Sequence, residues 1–515
     1  MKYLLFFVLI LGSCQKPPIE ETMNSSLKID FQEGDLPSLH PHDLIIYLRG
    51  ISIGKTLFEG LTRIDTNGKP VLAGAKSVEI SEDGLTYRFT LKKNNWSDGS
   101  PVLSFQYEAA WKQALSPVSF CKRSDLLFPI KNGALAKKGE VDLDQIGVHC
   151  PDAETLIVEL NRPSPHFLEL LAQPICAPLQ NASEQTVTCF NGPFTVDKWE
   201  KNSLLRLKPN PHFWNKENVH LPQIDIYMVQ DTDTAFALYE QKELDWIGVP
   251  LCPLSTDQIE HLKEKNKLQS HPIDRAFWVF LNTKHSSLSS PSIRKALSKA
   301  MDRKTIIEKV FVGGKPLLNA LPNALLAVSS KLAIQEDSLE ANQLLDIGLA
   351  ELGMTRETFP PLVITYSQQA NRKQLAEYLQ QAWSQTLGIQ VELQPQEWNV
   401  LRTQLATGQF QISGCFEASY CHDPLELMER MITLNSSNFA QWVFPSYQEK
   451  ITSAGSEANF EKRIALLSEA QDILLDQMPF IPITSDQFLF AHHPKLRGYT
   501  FDSVGAIDFS YANMK

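Results

Sequence analysis

The densest gathering of chemically versatile side chains in this sequence is Cys415, Cys421, His422 and Asp423. Thiolate, imidazole and carboxylate are all metal ligands, so the group has the makings of a soft-metal site. Structural zinc asks for tighter Cys-x-x-Cys pairing, and a disulfide or a pocket wall suits this spacing better. Gly50-Ile51-Ser52-Ile53-Gly54-Lys55-Thr56 imitates a phosphate loop, but it is one residue short between its glycines, and Arg49 stands where glycine is required. No His-Glu-x-x-His helix occurs, which removes the simplest metallohydrolase reading. No set of nucleophile, base and orienting partner can be assembled, so the expectation is a non-enzyme that carries neither cofactor nor metal. His40-Pro41-His42 and His492-His493 make poor bidentate ligands, since neighbours in a strand point to opposite faces; surface positions are expected for them.

One further cysteine stands in a different context. Lys2 precedes an apolar run from Tyr3 to Leu11, which Leu11-Gly12-Ser13-Cys14 closes. The run is too short to span a bilayer and has the form of a secretory signal. Its end resembles a bacterial lipobox, in which residues 1–13 are removed and Cys14 becomes a lipid-carrying N-terminus. The polar residues 14–26 then form a tether. The expected location is the periplasmic face of a bacterial membrane in the cell envelope, held there through the N-terminal lipid alone. Seven cysteines remain, an odd number. Cys176/Cys189 and Cys415/Cys421 are the sequence-near pairs, with buried free thiols as the alternative. The net charge of −11 and the lack of a basic stripe argue against nucleic acid.

The elements that must position these residues fall into two regimes. Early in the chain, Leu85, Tyr87, Phe89 and Leu91 alternate as a half-buried strand, as do Leu156, Val158 and Leu160. Between them Tyr107, Ala110, Trp111 and Ala114 predict a helix ending before Pro117. Later, Leu362–Tyr366 predicts a buried strand, Arg372–Leu387 a helix stopped by Gly388, and Ile389–Leu393 the next strand of a βαβ unit. Trp398–Ala406 repeats the helix, Gly408 stops it, and Phe410–Phe416 returns as a strand. Phe460, Ile464, Leu467 and Leu474 trace a last helix, closed by Pro479. Open α/β sheets bind ligands at the carboxyl ends of their strands, which directs attention to the loop after Phe416.

Several short motifs then occur in a fixed order: Leu57-Phe58-Glu59-Gly60-Leu61, Trp96-Ser97-Asp98-Gly99, Asn191-Gly192-Pro193-Phe194, Asn210-Pro211-His212-Phe213-Trp214, Phe280-Leu281-Asn282-Thr283, Ile293–Arg303 and Gln396-Glu397-Trp398. Together they resemble the extracellular solute-binding proteins of peptide and nickel ABC importers, most of all the oligopeptide-binding branch. The motifs themselves read as scaffold, with Ile293, Leu297 and Ala300 inward and the basic residues of that segment solvated. The resemblance implies an α/β, two-lobed periplasmic-binding-protein-like fold (type II, cluster C) with an inserted domain and mixed sheets flanked by helices. Lobe I would comprise 27–66, 187–277 and 489–515, the insertion 67–186, and lobe II 278–488. It further implies a monomer that holds an extended peptide between closing lobes and presents it to the importer's permease subunits.

The chain also departs from that branch. There an aspartate before the tyrosine pins the peptide's α-ammonium; here the pair is Ser419-Tyr420. Losing one partner of such a buried pair typically costs about 3–5 kcal/mol, so the anchor has moved or gone. Glu417 is the first candidate to replace it, with Asp423 beyond the turn as the second. The branch's carboxylate-binding arginines are missing too, with Leu405 and Ser413-Gly414 in their neighbourhood. Arg372 and Arg402 are the remaining cations, Arg372 starting a helix whose equivalent carries a carboxylate-contacting histidine. Trp398, Phe416 and Tyr420 are expected as pocket walls. The alternatives are a nickel or metal-chelate receptor of the same fold, using His422 and its cysteines, and a surface adhesin or signalling receptor that kept the fold.

Overall fold

The computed structural model describes residues 26–515 apart from 33, 183–185, 326, 327, 329, 433–436 and 458; the signal, Cys14 and nearly all of the expected tether lie outside the described residues. Strand Leu27–Asp30 runs parallel to Ile224–Tyr227, and Leu204–Pro209 and Phe194–Glu200 extend that sheet antiparallel. A second four-stranded sheet, Ala75–Ile80, Thr86–Leu91, Thr155–Glu159 and Val148–His149, is antiparallel throughout. Helix Ser104–Leu115 accompanies it, burying Tyr107, Ala110, Trp111 and Ala114 as its spacing predicts. One continuous apolar core joins both sheets with the C-terminal residues Leu496 to Met514.

The early motifs converge inside this core. Glu59 is wholly buried: its amide donates to Asn191 Oδ1 (3.1 Å), its carbonyl accepts from Asn191 Nδ2 (3.0 Å), and its carboxylate accepts from Trp214 Nε1 (3.2 Å). Arg63 bridges Glu59 to Asp508, tying early chain to late. Gly192 is obligatory here, because a Cβ would lie 2.5 Å from the carbonyl carbon of Leu57.

The second lobe hangs on a seven-stranded mixed sheet, ordered Trp246–Gly248, Phe480–His492, Gln269–Leu281, Ile412–Ala418, Leu362–Ser367, Val391–Gln396, with Lys315–Pro316 paired to the side. The βαβ unit is present: Leu362–Ser367 and Val391–Gln396 pair in parallel, joined by helix Ala370–Leu387, and helix Trp398–Thr407 leads on to Ile412–Ala418. The two 13-residue strands Gln269–Leu281 and Phe480–His492 traverse both lobes. Ile273, Phe488 and Phe490 lie in the first core, whereas Ala276 to Leu281 and Phe480 to Ile483 lie in the second. Their ladder breaks where the cores change, with Pro272 opposite Gln487 but Ala276 opposite Ser485. Pro272 has no N–H to donate, and the extra residues on one side bend the strand. Arg275 Nε holds Asp486 across the break at 2.7 Å.

Two expectations are corrected, and the alternative left open for the cysteines is decided. Arg294 and Arg303 are not solvated but almost fully buried, because their guanidinium groups are satisfied by backbone carbonyls and, for Arg303, by Glu336. Arg294 reaches Gln477 and Met478 at the end of helix Phe460–Gln477, as well as Leu288 and Ser289. His40 and His42 are buried rather than surface residues, since His40 Nδ1 caps the turn Pro41–Leu44 and its ring packs against Phe120. All seven described cysteines are free thiols.

Candidate ligand site between the lobes

Strand Ile412–Ala418 ends beside the break in the long strands, and its side chains alternate between two environments. Phe416 faces an aromatic cradle with Phe277 (5.1 Å) and Phe311 (5.8 Å). Over this cradle lies Arg372, from the first turn of the helix that follows Leu362–Ser367; its guanidinium carbon is 4.5 Å from the Phe277 ring centre and 4.9 Å from that of Phe416. Arg275 covers the Phe416 ring at 4.3 Å. Burial lowers the Arg372 pKa to about 10, and its Nη1 has no hydrogen-bond partner although it is sealed from solvent. A desolvated guanidinium edge at the carboxyl end of parallel strands has the donors to receive a planar anion. Gly414 explains why no arginine stands on this strand: a Cβ there would meet the Phe277 ring at 2.6 Å.

On the opposite face Glu417 is buried and paired with Arg430, whose Nη2 also donates to Ala418 O at 2.5 Å. The structure thus gives Glu417 a resident cation, and an incoming ammonium would have to displace Arg430. Ser419 is fully buried and donates to Glu426 Oε2 (2.7 Å), which also accepts the amides of Tyr420 (2.7 Å) and Cys421 (3.2 Å). Ser419 thereby fastens the loop. Tyr420 reaches the first lobe, where Arg123 lies 4.2 Å over its ring and Gln173 donates to its carbonyl. Asp423 caps helix Pro424–Met428 and accepts two bonds from Arg463, at 2.7 and 2.8 Å, with His166 Nδ1 at 3.3 Å. Burial opposes its ionisation, but His166 and Arg463 together hold the carboxyl well below its usual range. Trp398 (45 % exposed) and Arg402 both stand exposed on helix Trp398–Thr407, apart from this constellation.

Several participants have no local signal in the sequence. Asp274, beside the break, accepts from His422 Nδ1 at 2.6 Å, and Glu169 accepts the His422 amide at 2.7 Å. They come from segments far apart in the chain. Glu426 alone was foreshadowed, as the fourth residue of an Asp-x-x-Glu helix start, though its carboxylate serves the preceding loop instead of the cap. The thiol–imidazole group does not assemble: Cys415 faces Glu417, Cys421 faces Glu426 and His422 faces Asp274. Among the described residues no group of three or more His, Cys, Asp or Glu side chains is placed to hold a metal ion. None of the described helices is long and apolar enough to cross a membrane.

The geometry has counterparts. Residues 69–431 match the family model of bacterial extracellular solute-binding proteins, family 5 (middle). The oligopeptide-binding protein OppA of Bacillus subtilis (strain 168) is 31% identical over 497 residues, 93% of this chain and 91% of that protein. The dipeptide-binding protein DppE of the same organism is 27% identical over 476 residues, 89% of this chain and 86% of that one. The structure of the Escherichia coli murein tripeptide binding protein MppA superposes with a TM-score of 0.79 at 23% identity, covering 95% of this chain and 98% of that chain. The chain belongs to the bacterial extracellular solute-binding proteins of family 5, with their two-lobed α/β periplasmic-binding-protein fold.

Proposed function

We propose that this protein is a non-enzymatic, lipid-anchored receptor that captures short peptides, murein-derived peptides among them, between its two lobes and delivers them to an ABC permease. The observation that carries this reading is the guanidinium of Arg372. It is a half-buried cation whose sealed Nη1 has no partner, lying over three phenylalanine rings beside the break in the long strands. A terminal carboxylate supplies the missing acceptors, while the apolar rings receive the adjoining side chain. The relatives support the class of ligand, since their names specify oligopeptides, dipeptides and murein tripeptide. Main-chain pairing plus one charged anchor reaches micromolar affinity, about −8 kcal/mol. Cys14 carries the acyl chains at the head of the tether, residues 14–26.

The test is a panel of peptides of two to six residues and murein stem peptides, followed by calorimetry and solution scattering on the mature chain. Binding heat together with a smaller radius of gyration is expected. No heat and an unchanged scattering profile across the panel would overturn the receptor reading. Cys14→Ser is expected to move the protein from the membrane to the soluble fraction of its host; retention would remove the lipid anchor from the proposal.

A further inference from the structure

Around His422 a buried anion meets an exposed cation. Asp274 is buried, with only 2% of its side chain exposed, whereas the imidazole that it holds is 55% exposed. The anion is fixed on the strand Gln269–Leu281, and its cation sits on the loop after Ile412–Ala418. Asp274 is anchored by its own backbone, its amide donating to Ser503 O (3.0 Å) and its carbonyl accepting from Ser419 N (2.8 Å). Glu169 supplies a second carboxylate from helix Phe167–Leu170, already bonded to the His422 amide.

A second, independent feature points to a donor that is not part of the chain. Gln173 is 1% exposed, and its Nε2 donates to Tyr420 O (3.3 Å) and Asp502 Oδ2 (3.2 Å). Both of those neighbours are acceptors, so the amide cannot be turned over, and its Oε1 is left buried without a partner. Ser503 Oγ, on the residue that holds the Asp274 amide, is likewise buried and unpartnered. Acceptors of this kind on several sides suit a group that brings several N–H donors and a positive charge. A primary ammonium has three donors; an imidazolium presents its two in one plane.

We propose that His422 is a tethered stand-in cation: its imidazolium occupies Asp274 in the empty receptor, and the primary ammonium of a peptide's free amino terminus displaces it to reach Asp274, Glu169 and Gln173. This rests on the peptide-receptor reading and adds to it the position of the ammonium anchor and a competitor built into the fold. The exchange explains why Ser419 can stand where an anchoring carboxylate is absent. The charge has moved from the loop to the strand behind it.

The exchange has a proton signature. The hydrogen bond to Asp274, with Glu169 and Asp423 adding their charges, raises the His422 pKa in the empty protein despite partial burial. Displaced into solvent, the ring returns to an ordinary value near about 6.5 and releases its proton. Burial raises Glu169 to about 7, so an arriving ammonium draws a proton from that carboxyl as well. His166 and Arg463 face Asp423, and Lys55 faces Asp502, so those carboxylates are already compensated.

The experiment measures trialanine and pentaalanine, each with a free and an acetylated amino terminus, against the mature protein, His422→Ala and Glu169→Gln between pH 6 and 8.5. Calorimetry in buffers of differing ionisation enthalpy counts the protons released. Free-amine peptides are expected to bind His422→Ala more tightly than the native protein, by about tenfold at pH 6, with the gain fading toward pH 8.5 as the competitor deprotonates. Proton release should fall in His422→Ala and fall separately in Glu169→Gln. Acetylated peptides should bind weakly and gain nothing from His422→Ala. Equal gains for both peptide forms, or weaker binding of free amines by His422→Ala at every pH, would overturn the exchange while leaving the receptor reading in place. Absence of binding by either form to all three proteins would overturn both.

Discussion

Arg372→Met separates a binding residue from a scaffold residue, because the two roles predict opposite outcomes. In the empty protein the guanidinium has one sealed N–H without an acceptor, a defect worth about 1–3 kcal/mol. Its contacts with the rings of Phe277, Phe311 and Phe416 return about 0.5–2 kcal/mol in total. The two nearly cancel, and methionine fills a similar volume with favourable sulfur–aromatic contacts. The empty variant should therefore unfold within about 1 kcal/mol of the native protein, a shift of only a few degrees in a chain of this size. Ligand binding is different. A charge-assisted bond to a carboxylate contributes about 1.5–3 kcal/mol, which corresponds to a loss of roughly 10- to 150-fold in affinity. The assay is calorimetry with trialanine and trialanine amide, beside thermal unfolding of the empty proteins. The native protein should prefer the free acid, and Arg372→Met should bind both forms equally. A variant that loses acid and amide alike, or whose midpoint falls by more than about 5 °C, would refute the reasoning.

Three other perturbations test the framework around the site. Asp423→Asn should destabilise the protein by about 3–5 kcal/mol in denaturant titrations, because it leaves Arg463 buried without its counter-charge. The Asp423 carboxyl is depressed in the fold, so its contribution is complete above its ordinary value of about 4 and lost only as the pH falls further; Asp423→Asn should therefore matter least in strong acid. Glu169 has the opposite sign. Its carboxyl rises to about 7 through burial, so stability falls by about 3 kcal/mol as pH climbs from 4.5 through 7, and Glu169→Gln should flatten that slope. Arg294→Met should cost at least about 3 kcal/mol in unfolding experiments, since it strips donors from the end of helix Phe460–Gln477 and from Leu288 and Ser289.

What could be read from the sequence was whatever local periodicity encodes. Helix Ala370–Leu387 and its neighbours follow a 3.6-residue apolar repeat and end at glycines, and Gly388 and Gly408 do adopt positive φ as helix caps. The early motifs pointed to the fold because those carrying Glu59, Asn191 and Trp214 meet in one buried polar knot. The long strands Gln269–Leu281 and Phe480–His492 escaped notice, since both are apolar on both faces over their inner halves and carry prolines, charges and polar residues elsewhere. The buried arginines escaped for a related reason. Hydropathy assigns Arg294 and Arg303 to water, whereas the carbonyls they satisfy belong to segments remote in the chain. Phe416 was placed from the sequence at a strand end and Arg372 at a helix start, but Asp274, Glu169 and Gln173 are joined only when three segments are brought together.

The core that joins Leu27 to Met514 has a consequence for the order in which the chain is completed. Its opening strand leaves the ribosome first, yet Ile507 must still donate its amide to Ser52, and Asp508 must still neutralise Arg63, before that core is whole. The first lobe to be synthesised is therefore the last to be sealed, and a nascent chain lacking its final twenty or so residues carries a raw apolar flank. Vectorial synthesis, which usually lets N-terminal units fold early, here leaves this core open until the segment carrying Ile507 and Asp508 has been made.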